Sequence, residues 1–381
     1  MLIVDIVNAK NLATPLSRIT AAASKRTELE KCVLLRTDAD GMTLTAVDTH
    51  THQLTLRVPE SENVDPEGGM VLVAAAALKE LVNTFDSQPL SLAIDEAESR
   101  LHVQSEGDYK VPLFVDPPDK FPVEWELPPV VGLVEAERLS EALEAAGDLC
   151  SEGEMVVMTV KGDQLSIYTR GKGVMFSRTS LQVQDSVRDW AISIPVALIG
   201  FLPPKMAGVA ELRLHDDSDT FAVASGREHL LIKQVANDNY SHMVDAMLDA
   251  SAPDFYTLKT DGLTRDLRRA AIFKDNAGLK LRVHGDHVVA ECKGPGGSMK
   301  TPHAIADQGG SGGEPAPVSV DPALLGQAIK ALSCQHVVAE QVKTLVPAAF
   351  EGDEDQMGVT LRLYDVEAPG HRVIVLGTLA V

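Results

Sequence analysis

Ala9-Lys10-Asn11-Leu12-Ala13-Thr14-Pro15-Leu16, Glu135-Ala136-Glu137-Arg138-Leu139-Ser140-Glu141-Ala142-Leu143 and Thr260-Asp261-Gly262-Leu263-Thr264-Arg265-Asp266-Leu267 each carry a Leu-x-x-x-Leu pair at helical spacing. Leu139 follows Leu12 by 127 residues, Leu263 follows Leu139 by 124, and a third of the 381-residue chain is 127. A second set of segments recurs in the same order: Val71-Leu72-Val73-Ala74-Ala75-Ala76-Ala77-Leu78, Ile192-Ser193-Ile194-Pro195-Val196-Ala197-Leu198-Ile199 and Val318-Ser319-Val320-Asp321-Pro322-Ala323-Leu324-Leu325. In each, a short β-rich run turns directly into an apolar helix, and Pro195 and Pro322 stand where a first helical turn tolerates proline. Two anchors recurring in register point to one supersecondary unit used three times.

Between the helices lie short runs that alternate apolar and polar residues, the period of antiparallel strands. The first repeat has Gly41–Asp48, Gln53–Val58 and Leu90–Ile94. The second has Met155–Val160, Gln164–Thr169, Leu212–His215 and Thr220–Ala224, and the third Leu279–Val283, His287–Glu291, Val359–Leu363 and Arg372–Leu376. The expected fold is α+β: three repeated domains, each with two helices on antiparallel sheet, over residues 1–126, 127–251 and 252–381. Gly294–Gly297 and Gly309–Gly313 are expected to be flexible loops within the third domain.

Composition narrows the function classes. With 34 Lys and Arg against 55 Asp and Glu, the formal charge is −21. Such a surface repels phosphate, which disfavours an ordinary phosphate-neutralising DNA binder unless the cations are gathered in one place. Cys32, Cys150, Cys292 and Cys334 are far apart and show neither disulfide-framework nor zinc spacing, which fits a reducing cytoplasm. The N-terminus lacks a basic n-region and no apolar run reaches membrane-spanning length, so neither secretion nor a membrane anchor is expected. Walker A, Rossmann, HExxH, GxSxG and EF-hand patterns are missing, and no catalytic residue, metal or cofactor is assigned. His50 and His52 alternate as metal ligands do, yet no third ligand lies near them in sequence. Asp216, Asp217 and Asp219 read as a solvated turn, and Glu351, Asp353, Glu354 and Asp355 as a charged loop.

The helices put cations together. In the third repeat Leu263, Leu267 and Ala270 share a stripe, with Arg265, Arg268 and Arg269 opposite. In the first, Lys10, Arg18 and Lys25 fall away from Leu12, Leu16 and Ile19. The second breaks the pattern with Glu137, Glu141 and Glu144. Ile272 falls on the polar side of its helix and is followed by Phe273, a pattern suggesting a protein contact.

Taken together, these residues resemble the bacterial DNA polymerase III β sliding clamp over essentially the whole chain. Asp38–Asp48 resembles the family's first hairpin, Phe121-Pro122 its first-domain closing Phe-Pro, and Arg269-Ala270-Ala271-Ile272-Phe273 the helix that packs across its dimer interface. The resemblance implies a head-to-tail homodimer, with Ile272 and Phe273 at the interface, closed around duplex DNA. It also implies a cytoplasmic, non-enzymatic processivity factor that serves DNA polymerase III subunits, a clamp loader and other clamp-motif proteins. Channel cations would be Lys10, Arg18, Lys25, Lys79, Arg265, Arg268, Arg269 and Lys274.

The family's partner-peptide pocket maps onto Thr169, Gly171, Lys172, Val174 and Met175, onto His242 and Met243, and onto Val375, Leu376 and Gly377. Here the sequence departs from the family. Thr169-Arg170-Gly171-Lys172-Gly173-Val174 stands for Thr-Asp-Gly-His-Arg-Leu, the domain junction keeps Tyr240 without the Phe-Pro and following Arg residues, and Val375-Leu376-Gly377-Thr378-Leu379 stands for Val-Met-Pro-Met-Arg. An apolar groove with altered partner preference is expected. The competing readings are a ligand-binding protein or enzyme on a repeated α+β scaffold, and an acidic protein-binding scaffold that never encircles DNA.

Overall fold

The computed structural model describes residues 3–377 except 63, 65–67, 96–98, 106–109, 123, 173–174, 203–207, 216–218, 234–239, 253, 271, 273–277, 295–296, 311–314 and 347–355. Among the described residues, one cycle of eight strands runs three times along the chain. In the first repeat the strands are Ile3–Ile6, Cys32–Asp38, Gly41–Asp48, His52–Val58, Gly69–Ala74, Leu90–Asp95, Arg100–Ser105 and Lys110–Asp116, with one extra short strand, Ser61–Glu62, paired with Asp5 and Ile6 outside the cycle. In the second they are Val130–Glu135, Met155–Lys161, Gln164–Gly171, Met175–Gln182, Trp190–Pro195, Val209–Leu214, Thr220–Ser225 and Glu228–Lys233. In the third they are Asp254–Lys259, Leu279–His284, His287–Gly294, Gly297–Gly309, Val318–Val320, His336–Val346, Gln356–Asp365 and Arg372–Gly377.

Helices occupy the same two places in every cycle. After the first strand come α1 (Ala9–Ala22), α3 (Ala136–Leu149) and α6 (Thr260–Ala270); after the fifth come α2 (Ala75–Val82), α4 (Val196–Ile199) and α7 (Pro322–Leu332), with α5 (Ser241–Leu248) between the second and third cycles. All ladders are antiparallel, in the orders 5-2-3-4 and 1-6-7-8 within each cycle.

The chain forms two compact units, residues 1–140 with 201–235 and residues 141–200 with 236–381. Each contains one junction where the fourth strand of a cycle pairs with the eighth strand of the next. In the first unit His52, Gln53, Leu54 and Thr55 face Ile232, Leu231, Leu230 and His229. In the second, Met175 to Thr179 face Leu376 to Arg372.

Local chemistry sets the helix bounds. Asn8 caps α1 by accepting from the Lys10 N–H at 2.9 Å, and Asp321 caps α7 by accepting from Ala323 N–H at 2.7 Å, ahead of Pro322 in the first turn. The α1 stripe of Leu12, Leu16 and Ile19 is fully buried, each such side chain contributing about 1.5–3 kcal/mol. Lys25 is a correction: α1 ends at Ala22, whose carbonyl is 2.9 Å from His52 Nε2, so Lys25 belongs to the following loop. His52 is buried and stacked on Phe201 at 5.0 Å, in a structural setting unlike a metal ligand's.

Gly294 to Gly297 is a second correction. Gly294 and Gly297 are strand residues that pair with each other, and Gly297 has φ 141°, a backbone that glycine alone adopts without strain, while residues 295 and 296 lie outside the described residues. Gly309 ends a strand; residues 311–313, Asp216, Asp217 and the acidic stretch 351–355 lie outside the described residues. Among the described residues no helix is long and apolar enough to cross a membrane, and no three His, Cys, Asp or Glu side chains are grouped to hold a metal.

Candidate nucleic-acid face and peptide junction

The cationic candidates divide by environment. Lys10 is exposed in the first turn of α1, Lys79 is half-buried on α2, and Arg265, Arg268 and Arg269 are exposed along α6. Arg18 is half-buried: burial pulls its guanidinium below the ordinary value, with Glu228 opposing. Lys274 and Phe273 lie outside the described residues, while Ile272 is 75% exposed.

One α6 residue went unread in the sequence. Asp266 is fully buried, with Arg269 Nη1 at 3.1 Å and His303 Nε2 at 3.2 Å. Its position between Leu263 and Ala270 on the apolar stripe was the available signal. Burial lowers the His303 imidazole below its ordinary value, and Asp266 opposes that shift. The helix-bound carboxylate thereby ties Arg269 back, leaving Arg265 and Arg268 without an ion pair among the described residues.

On α3 the exposed residues are Glu137, Arg138, Glu141, Glu144 and Asp148. Arg138 is spent on Glu135 at 3.1 Å, so the net face is acidic.

The peptide-pocket candidates converge on the junction in the second compact unit. Met175 pairs with Leu376 and the neighbouring Phe176 with Val375, and Met243 on α5 packs against the cluster of Phe176, Val244, Met247 and Val375. Most of these residues are interior: Thr169, Met175, Val375 and Leu376 are at most 1% exposed. Thr169 Oγ1 and Ser177 Oγ share a hydrogen bond at 2.5 Å. Gly171 is required where it stands, because a Cβ there would sit 2.5 Å from the Leu149 carbonyl oxygen. Lys172 and His242 are exposed, Met243 and Gly377 are half-buried, and Val174 lies outside the described residues.

Helix α5 had no clear signature in the sequence, and polar side chains fix it to the junction. Asp245 accepts from Arg178 Nη1 at 2.8 Å and from the Tyr168 hydroxyl at 3.1 Å. Burial, then Asp245, raises the Tyr168 phenol above its ordinary value. The Tyr240 hydroxyl donates to the Met155 carbonyl at 2.8 Å. Beneath, Arg362 bonds Glu340 at 2.5 Å and the Ala250 carbonyl at 3.0 Å, and Tyr364 donates to Glu340 at 2.7 Å. The site is an apolar ladder with a pinned helix beside it and an exposed rim from Lys172 and His242. Binding of extended or helical peptide segments is within the reach of such a surface.

No protein-family profile matches this chain, and no curated protein matches it at a significant level. Solved structures do. The fold defined above is that of the bacterial sliding clamps. A DnaN sliding clamp (DNA polymerase III subunit beta) from Pseudomonas aeruginosa bound to griselimycin superposes with a TM-score of 0.80 at 14% identity, covering 100% of both chains. The DNA polymerase III beta subunit from Thermotoga maritima gives 0.78 at 10% identity, and the beta chain from Streptococcus pneumoniae 0.77 at 14%, each again covering 100% of both chains.

Proposed function

We propose that this protein is a DNA sliding clamp: a non-catalytic processivity factor that closes as a head-to-tail homodimer around duplex DNA in the cytoplasm. In that ring it tethers DNA polymerase III subunits, the clamp loader and other clamp-motif proteins. The carrying observation is that the clamp fold is matched over 100% of this chain. The cycles correspond to domains at 1–126, 127–251 and 252–381.

Strand pairing supports the closure. Three cycles in one chain supply two fourth-to-eighth junctions. The unused strands are Lys110–Asp116, the eighth of the first cycle, and Gly297–Gly309, the fourth of the last. Among the described residues, Lys110–Phe114 pair only with Arg100–Gln104, and Gly297–Ala304 only with His287–Gly294. An open strand edge invites a partner strand. A second copy placed head to tail joins both pairs of edges and closes after two chains, with Ile272 and Phe273 at the contact.

Enclosure also reconciles DNA with a charge of −21, because a ring holds its duplex by topology rather than by phosphate neutralisation. The contacting cations are Lys10, Lys79, Arg265, Arg268, Arg269 and Lys274, joined by the half-buried Arg18 and the loop residue Lys25 at the margin. The peptide pocket is the second-unit junction, bounded by Lys172, Val174, His242, Met243 and Gly377 over Thr169, Gly171, Met175, Val375 and Leu376.

The test is to load the purified protein with a clamp loader onto nicked circular DNA and then cut the circle. Retention before cutting and loss afterwards is expected; equal retention on both forms sinks the reading. Ile272→Ala with Phe273→Ala is expected to halve the mass in sedimentation, and an unchanged dimer removes the interface.

A further inference from the structure

Asp266 and His303 bridge the two parts of the third cycle that the proposed ring contact uses. Asp266 is on α6, whose C-terminal end leads to Ile272, and His303 is on Gly297–Gly309, the strand whose outer edge is unpaired from Gly297 to Ala304 among the described residues. The two side chains are 1% and 9% exposed. Asp266 Oδ2 and His303 Nε2 face each other at 3.2 Å, and neither makes a hydrogen bond to any other group among the described residues. The helix makes room for the imidazole: a Cβ at Gly262 would come within 3.3 Å of His303 Nδ1. Glycine is otherwise a poor choice inside a helix.

The charged groups around the imidazole belong to α6. Burial has the largest influence and leaves His303 below its ordinary value; Asp266 favours the charged form and Arg265 opposes it. The carboxylate is already engaged on its other oxygen by Arg269 Nη1 at 3.1 Å. Across the ladder His303 is opposite Val288, while His287, opposite Ala304, alternates to the other face and bonds Asp286. The strand Asp254–Lys259 comes nearest where Leu258 pairs with Ile305, and its Lys259 is exposed.

Resting on the clamp reading, we propose that His303 is a positioning residue for ring closure: as a neutral imidazole it holds the open strand against α6 in the register a second copy pairs with, and its protonation releases that strand and opens the ring. A charged imidazole demands water. In the free chain the strand can lift from α6 at its unpaired edge and admit it. In the ring a partner strand holds that edge down, so closure keeps His303 neutral. Protons therefore bind the open form preferentially, and the ring is strongest above the ordinary imidazole value and weakens as pH falls below it. The background effect has the opposite sign. Acidification moves the formal charge of −21 toward zero, which lowers repulsion between copies and by itself favours association.

The experiment measures the dimer dissociation constant of the full chain by sedimentation, from about pH 7.5 to about pH 5.5 at fixed ionic strength. If closure lowers the imidazole by about one unit at each of the two contacts, the weakening approaches about a hundredfold at full protonation, and about tenfold is expected by pH 5.5. His303→Gln is expected to stay dimeric at neutral pH and to lose the pH dependence. Asp266→Asn removes the carboxylate that favours the charged imidazole, and is expected to move the weakening to lower pH. His50→Gln, at an exposed turn, is the control and follows the wild type.

The proposal is overturned if the wild-type dimer keeps its affinity or tightens across this range, or if His303→Gln weakens in parallel with it. It is equally overturned if the dependence is abolished instead by His102→Gln, on the strand beside Lys110–Asp116 at the other closing edge, or if the chain melts before the dimer separates. Should His303→Gln fail to fold in melting curves, imidazole NMR shifts of the wild type replace it. His303 titrating at lower pH in the dimer than in the Ile272→Ala, Phe273→Ala monomer supports the proposal, and identical titration overturns it. The two readings fail separately. A chain that is monomeric at every pH and forms no topological link removes the ring and this role with it, whereas a ring that loads and has a pH-independent affinity removes the role of His303 alone.

Discussion

The two strand junctions share a ladder and differ in what covers it. In the first unit, Gln53 and His229 meet across the ladder at 3.2 Å, the Trp125 backbone N–H donates to Gln53 Oε1 at 2.9 Å, and Lys233 lies over the Trp125 ring at 3.5 Å. In the second unit, Phe176 and Val375 make an apolar surface against which α5 packs. A polar seal demands that each buried group keep its partner, so it fixes one arrangement. The same backbone thereby yields two joints with different covers, and the one covered by α5 coincides with the proposed peptide site.

The largest expected effect tests that contrast directly. Phe176→Ala is expected to cost about 3–5 kcal/mol by chemical denaturation, because the cavity opens in a buried cluster; a cost under about 1 kcal/mol means the second junction is not packed as described.

Next is pH. Burial, with Arg213 adding to it, lowers the His229 imidazole from 6.5 to about 4, so this side chain is held neutral in the folded protein. Protons then bind the unfolded chain preferentially. The stability is fully present above pH 6.5 and is lost as pH falls from 6.5 toward 4, with a total on the order of 3 kcal/mol. His229→Gln is expected to flatten that part of the stability-versus-pH curve, and an unaltered curve removes His229 from the seal.

Gln53→Ala leaves the Trp125 N–H and His229 without their partner, and a loss of about 1–2 kcal/mol is expected in the same denaturation assay. A neutral result would show that the first junction is sealed by packing alone.

The smallest stability effect belongs to Met243→Glu, at a half-buried position where less than about 1 kcal/mol is expected. Its readout is binding of clamp-motif peptides, which it is expected to weaken at least tenfold, a change of about 1.4 kcal/mol. Unchanged peptide affinity moves the pocket elsewhere.

Much of this architecture was legible as pattern. The Leu-x-x-x-Leu pairs marked α1, α3 and α6, and the β-rich runs entering Ala76, Ala197 and Ala323 marked the second helices, because apolar spacing follows helix and strand periods directly. Lys25 was misjudged since the bond from His52 to the Ala22 carbonyl, thirty residues apart in sequence, ends the helix early. Asp266 was legible in position and overlooked in type: a carboxylate on an apolar stripe needs a buried partner, and His303 arrives from a distant strand. The α5 helix is short, and its place depends on Asp245 finding Arg178 and Tyr168, none of which is adjacent in sequence.

The sequence by itself determined the threefold period, the strand and helix faces, and the segregation of arginines onto one helix and glutamates onto its counterpart, since these follow from residue spacing alone. Only the tertiary structure decided which strand meets which across the junctions, that Val375 and Leu376 are interior, and that His303 on an open strand reaches Asp266 on α6. The physical reason is that pairing and burial depend on contacts between residues far apart in sequence, where no local periodicity constrains the partner.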